Sequence, residues 1–396
     1  MTTPNLLARF FVTGLFALTA AGCVSTQVKR VNEVKATQAN QELPLEQLLD
    51  VTIVAFDPGI PEKIKEQQDQ GVLPAVRQAE ANYLPQVLRQ ALDGTGYWGT
   101  VRVLPEAPPG SMLIIGGKIL HSDGEKLKLH INAKDTTGRE WLDRDYEEVA
   151  AEISYTEKSA NTTDPFQDLY SRVANDLLKE RKKLDAAKML EVRRVADLKF
   201  AADLAPARFE GYLKTDKSGR TTIQRLPPEN DPIVKRIASV RARDDVLVDT
   251  LDGHYAVFRQ NMQPAYQEWR RASYTETVAL NELERQALWR KVAGAAAAIA
   301  GVAAVITSDS AAGSVLGQVG VVAGVGIFAS GMQKGQEAKV HADSLKELNA
   351  SINADVAPRV VELEGKTVTL TGSAKEQYDQ WRKLLHERYS AEVGTP

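Results

Sequence analysis

Apolar and polar residues alternate from Lys126 to Lys134, where Leu127, Leu129, Ile131 and Ala133 oppose Lys128, His130 and Asn132. This two-residue period predicts a strand with one buried and one wet face. Shorter apolar runs at Val51 to Phe56, Val101 to Leu104 and Met112 to Leu120, with Glu140 to Val149, predict four more strands. Ser122-Asp123-Gly124 and Asp135-Thr136-Thr137-Gly138 read as hairpin turns between the last three. From Pro74 the period lengthens: Val76, Ala79, Tyr83, Val87, Leu88 and Ala91 fall on one face of a helix closed by Gly94 and Gly96. Asp57-Pro58-Gly59-Ile60-Pro61 forces a turn before it, rigid enough to present a fixed shape for recognition as well as turning. The order β-α-β-β-β-β gives a small mixed α/β sheet domain over residues 49–157.

A polar break at Asn161 to Asp164 opens a helical domain over residues 164–290. Apolar positions from Phe166 to Leu198 predict one long or one broken amphipathic helix to about Asp203, ended by Pro206. Lys214 to Asp231, with Gly219, Pro227 and Pro228, reads as a loop; a second helical region starts at Pro232, interrupted by Gly253 and Pro264. Residues 334–396 hold a polar helix from Ala338 to Ala354, then a hairpin of Val360 to Leu363 and Thr367 to Leu370. A last helix to about Tyr389 starts at the capping box Ser373 and Glu376. The fold class is α+β, with Trp269, Trp289 and Trp381 as helix-packing anchors.

Between these regions the charges stop. Val292 to Ile306 is fifteen uncharged residues, eight of them Ala, with Gly294 and Gly301 seven apart; Ala311 to Met332 is again uncharged. In the second run Gly313, Gly317, Gly320 and Gly324 fall on one helical face, leaving a flat stripe where another helix can come close. Folded across Thr307 to Ser310, the two arms form a Gly/Ala-rich helical hairpin over residues 291–333. Trp289, Arg290 and Lys291 stand at its foot as interface anchors. The pattern resembles the glycine-zipper hairpins of small outer-membrane lipoproteins, and that resemblance implies insertion into a bilayer. The alternatives are a buried hairpin in a soluble bundle and a tip closed by a partner protein.

The amino terminus points to the same compartment. Residues 1–22 place a short stretch with one basic residue, Arg9, before the apolar run Phe10 to Ala21, and Ala20, Ala21 and Gly22 lead directly to Cys23. This resembles a bacterial lipoprotein signal, which implies cleavage after Gly22 and lipidation of Cys23; Ala20 stands where Leu is usual. Val24 after the cysteine then implies sorting to the outer membrane, with the protein on its periplasmic face. Residues 23–48, rich in Gln, Asn, Glu and Thr, read as a flexible tether. The α/β domain weakly resembles periplasmic assembly domains: TolB amino-terminal domains, curli-secretion-type lipoproteins and transporter-auxiliary lipoproteins. In those families the domain makes contacts and does no catalysis.

Composition narrows the remaining chemistry. Cys23 is the only cysteine in 396 residues, so intrachain disulfides and cysteine-based metal sites are excluded. The net charge of −3 gives no reason to expect a nucleic-acid partner, and the basic run Arg172 to Arg194 is interleaved with acids, as a solvated helix face would be. His121, His130, His254, His341 and His386 lie in different elements without metal spacing, and no phosphate-binding or nucleophile motif occurs. Asp143 with Asp145, and Asp244, Asp245, Asp249 and Asp252, form acidic clusters; for the second, local pairs with Arg241 and Arg243 are the plain explanation. No catalytic residue, metal or cofactor is expected. The reading is a lipid-anchored structural, assembly or secretion-accessory component, its partners being membrane lipid, copies of itself or other envelope proteins. An oligomeric pore component and a periplasmic ligand-binding protein or hydrolase are the alternatives.

Overall fold

The computed structural model describes residues 33–155, 164–304, 346–347, 349–351, 359–363 and 366–392. The chain falls into two units, Met1–Glu33 and Val34–Pro396, and the first lies almost wholly outside the described residues. The second is α+β. Its five-stranded mixed sheet has the order β2-β1-β3-β4-β5, with β1 (Val51–Val54) parallel to β2 (Val101–Leu104) and β3 (Leu113–Ser122). Strands β4 (Lys126–Asp135) and β5 (Glu140–Val149) continue it antiparallel. After the short α1 (Ile64–Asp69), α2 (Pro74–Asp93) carries the chain from β1 to β2 and buries the six apolar positions that its sequence period picked out.

Pro85 lies inside α2 and cannot donate to the carbonyl of Ala81. That freed carbonyl accepts the backbone N–H of Phe56 at 2.9 Å, just past the end of β1. A residue that should weaken the helix therefore ties the helix to the sheet. The turn at Asp57 is equally constrained. Gly59 has φ +60°, and a Cβ there would stand 1.9 Å from the carbonyl oxygen of Ile119, so only glycine fits. The Asp57 carboxylate accepts the Gly59 N–H at 2.8 Å, which holds its pKa below the usual range.

The helical region is not a separate domain. Helices α3 (Gln167–Arg181), α4 (Ala186–Leu204), α5 (Pro206–Phe209), α6 (Pro232–Ala304) and α7 (Ala374–Glu392) share one continuous hydrophobic core with the sheet, from Leu49 to Tyr389. The expected boundary between residues 49–157 and 164–290 thus falls inside one folding unit. The long amphipathic helix breaks after Arg181, and the Asp185 side chain caps α4 by accepting the Lys188 N–H at 2.8 Å. Within the span read as a loop, β6 (Leu213–Thr215) and β7 (Thr221–Ile223) form a small hairpin. Gly253 and Pro264 do not interrupt α6, which runs for 73 residues, about 110 Å at the helical rise. Tertiary packing by Phe258, Met262, Tyr266 and Trp269, all buried, overrides the local penalty of the proline.

The expected tether also needs correcting. From residue 35 the chain is docked: Asn175 of α3 donates to the Lys35 carbonyl at 3.0 Å and accepts the Thr37 N–H at 2.8 Å, while the Ala39 N–H reaches the Thr95 carbonyl at 2.8 Å. Arg181 donates to the Gln47 carbonyl at 2.7 Å, and Arg193 holds the carbonyls of Leu45 and Leu48. The segment binds through its backbone, so side-chain periodicity could not reveal it. At the other end, strands β8 (Arg359–Leu363) and β9 (Lys366–Leu370) pair as expected, and Ser373 and Glu376 close their capping box with N–H to oxygen distances of 2.7 and 3.3 Å.

What fixes α6 to the body is a buried polar seam. Glu80 of α2 is wholly buried; its Oε1 accepts the hydroxyls of Ser122 at 2.5 Å and Tyr266 at 2.6 Å. One turn further along α6, Arg270 is 1 % exposed, donates to Asp164 at 2.8 Å and lies 4.0 Å over the Tyr266 ring. Burial pulls the Arg270 guanidinium down and the Asp164 carboxylate beside it holds it up, and the upward pull prevails. Removing one member of a buried pair leaves an uncompensated charge. Arg270→Met should therefore cost about 3–5 kcal/mol and Tyr266→Phe about 1–2 kcal/mol in urea unfolding of the full chain. An Arg270→Met protein as stable as the parent would mean that the seam does not hold α6.

Candidate binding cleft

The acids of α6 reach beyond the local pairing expected of them, although Arg241 of the same helix does act on Asp245. Asp249 and Asp245 face Arg102 of β2, at 2.6 and 3.6 Å. Asp252 accepts the backbone N–H of Val103 at 2.7 Å and pairs with Arg89 of α2 at 2.6 Å. Asp244 takes the indole N–H of Trp381 on α7 at 3.1 Å, with Arg382 at 3.6 Å. Burial pushes Asp244, Asp245 and Asp252 upward, opposed at Asp244 and Asp245 by the facing arginines and at Asp252 first by the Val103 N–H. These side chains lie along one helix that covers the outer strand of the sheet, so an edge that would be open to another chain is closed.

Where α6 begins, this packing leaves a cleft. Its apolar chamber of about 520 Å³ is walled by Leu198, Phe200 and Ala201 of α4, Phe209 of α5, and Val234 and Ile237 of α6. Leu226 and Pro227 of the loop before α6 also line it, and Arg194, Asp197, Glu229, Arg241 and Asp245 supply its polar atoms. A smaller polar recess of about 130 Å³ adjoins it, sharing Asp197, Phe200, Arg241 and Asp245 and adding Asp50, Thr52, Arg102 and Ser111.

Arg241 stands at the junction. Its guanidinium donates to Asp197 at 2.6 Å and to the Gly110 carbonyl at 3.0 Å, and lies 5.4 Å from the Phe200 ring centre. Gly110 permits this arrangement: its φ is +83°, and a Cβ would stand 2.8 Å from the Ala196 carbonyl oxygen and 3.0 Å from Phe200. The turn Pro108-Pro109-Gly110, which the sequence reading passed over, marks this corner as a rigid kink ending in a residue free to adopt positive φ. Arg241 itself carried no signal, because its partners come from α4 and from the loop before β3. An apolar chamber with a few fixed polar groups at its mouth suits a ligand that is apolar at one end and polar at the other.

The other sequence candidates are placed apart. His130 lies on the wet face of β4 between Asp143 and Asp145, 2.9 Å from each. His121 pairs with Asp123 at 2.7 Å and His386 with Asp203 at 3.2 Å, and burial pulls His254 downward. None of these shares a carboxylate with another, and among the described residues no cluster of three or more His, Cys, Asp or Glu could hold a metal ion. Trp269 and Trp381 are buried packing residues. Ala20, Ala21, Gly22, Cys23, Gly313, Gly317, Gly320, Gly324 and His341 lie outside the described residues, as do the side chains of Trp289, Arg290 and Lys291. Gly294 and Gly301 fall on the α6 backbone. Among the described residues no helix is long and apolar enough to cross a membrane. No protein-family model, curated protein or solved structure matches this chain.

Proposed function

We propose that the protein is a lipid-anchored component of a bacterial envelope, held at the periplasmic face of the outer membrane, with a structural, assembly or secretion-accessory task. One observation carries this: the only cysteine of the chain directly follows Leu18-Thr19-Ala20-Ala21-Gly22 at the end of an apolar run. Several acyl chains on one residue make a stable attachment, since each buried methylene contributes about 0.8 kcal/mol. Helix α6 supports the reading from the other end of the chain, since it joins the packed body to the Gly/Ala-rich stretch without a break up to Ala304. Intact mass of protein extracted from membranes should begin at Cys23 and carry diacylglycerol and an amide-linked acyl chain there. Cys23→Ala should lack both. A free Cys23 thiol in the membrane-extracted protein would refute lipid anchoring.

The cleft favours a second reading, in which the anchored body also holds an amphipathic ligand. Ala238 lines the chamber from an exposed position, so Ala238→Trp should fill it without disturbing the core. A fluorescent amphiphile should bind the parent, and this variant should bind it at least about tenfold more weakly at unchanged Tm, the loss of one apolar subsite. Equal binding to both would place the probe elsewhere and remove the reading.

A further inference from the structure

We propose that the corner where α3 turns into α4 is a basic face that rests on anionic phospholipid headgroups. The inference rests on acylation of Cys23. Eleven residues separate Cys23 from Lys35, the first residue whose bond to the body is described, and the twelve steps between the two reach about 40 Å at most when fully extended. The covalent anchor therefore stays within about 40 Å of the point where this leash docks on the body, and the surface around that point lies within its reach.

The leash ends on Asn175, which bonds both to the Lys35 carbonyl and to the Thr37 N–H. Asn175, Lys179 and Lys182 follow at spacings of four and three, one face of α3, so the basic stripe starts at the tie point and extends about 10 Å from it. From residue 175 to residue 194 seven basic side chains stand against four acidic ones, Asp176, Glu180, Asp185 and Glu191, the last two exposed on either side of Lys188. Asp176 serves both Lys179 at 2.7 Å and Arg144 at 2.9 Å, while Glu180 serves Lys183 at 2.6 Å and Arg139 at 3.9 Å. Lys182 has no ion pair among the described residues and stands 5.8 Å over the Tyr97 ring, whose hydroxyl bonds to the docked leash at Gln38. Lys188, one turn into α4, is exposed and also without an ion pair among the described residues.

Two exposed apolar side chains lie in the adjoining segments. Leu45 is 77 % exposed and Leu190 is 44 % exposed. Arg193, three residues beyond Leu190, grips the Leu45 carbonyl, so both belong to the same corner. A lipid surface accepts both kinds of side chain, lysine at phosphate level and leucine among the acyl chains. The whole chain is net negative at −3, so its attraction to an anionic membrane must come from this local excess. Charges act over roughly 8 Å at physiological salt, so the lysines must approach the headgroups closely; the leash permits this.

The test uses the full mature chain carrying Cys23→Ala, sedimented with vesicles of phosphatidylcholine alone or mixed with phosphatidylglycerol. Binding should require phosphatidylglycerol and weaken as salt rises. Lys179→Glu/Lys182→Glu/Lys188→Glu should lower it by at least about tenfold, and the neutral Gln triple by an intermediate amount. The equally charged Lys214→Glu/Lys217→Glu/Lys383→Glu should bind like the parent, at unchanged Tm. Binding indifferent to phosphatidylglycerol and to salt, or equal losses from the two Glu triples, would overturn the proposal. Because acylation is read separately from the mass of the native protein, a non-lipidated Cys23 and an inert lysine face are distinguishable failures.

Discussion

A guanidinium cannot be carried into an apolar interior alone, and Arg270 shows how this chain meets that constraint. Its charge is balanced by Asp164 at 2.8 Å and faces the ring of Tyr266, whose hydroxyl in turn donates to Glu80 Oε1 beside that of Ser122. The two carboxylates come from α2 and from the start of the segment leading into α3, and the serine from the end of β3. One short stretch of α6 is thus fixed against three other parts of the fold. Apolar packing alone would let a helix slide along a greasy surface, whereas charges and hydroxyls at these distances bond in one register.

The same principle repeats along α6. Asp244, Asp245, Asp249 and Asp252 point at an indole, three arginines and a strand N–H on three different elements. Each side chain is far from its partner in sequence and close to it in space. Together with the seam, they make α6 part of the α/β body for its first fifty residues, as far as Asn281, whose side chain reaches Glu125 at 2.5 Å. A helix so held can transmit position: whatever the far end of α6 touches is placed relative to the sheet. The cleft lies at its near end, between α4, α5 and the first turns of α6.

Much of the sheet was legible because its elements announce themselves locally. The alternation of Leu127, Leu129 and Ile131, the helical face of α2 and the capping box at Ser373 each involve residues within one turn or one strand of each other. What was hidden was every interaction joining distant segments. The docked leash uses backbone groups, which carry no residue-type signal. Pro264 looked like a stop, and only the burial of Met262, Tyr266 and Trp269 explains its tolerance. Arg241 gave no hint of a site, because Asp197 and the Gly110 carbonyl reach it from elsewhere in the chain. The boundary expected between residues 157 and 164 falls within one core, since Phe166, Leu169 and Tyr170 beyond it belong to the same hydrophobic cluster as the sheet.

That α6 and the sheet form one cooperative body is the claim on which the rest depends. Native-state hydrogen exchange on the full-length protein tests it most directly. Amides of α6 between Val240 and Arg270 should exchange with the same opening free energy, and the same denaturant dependence, as those of β1, β3 and α2. Exchange of the α6 segment at distinctly lower free energy, with the sheet still protected, would mean that the helices open as a separate domain and that the polar seam does not bind them together.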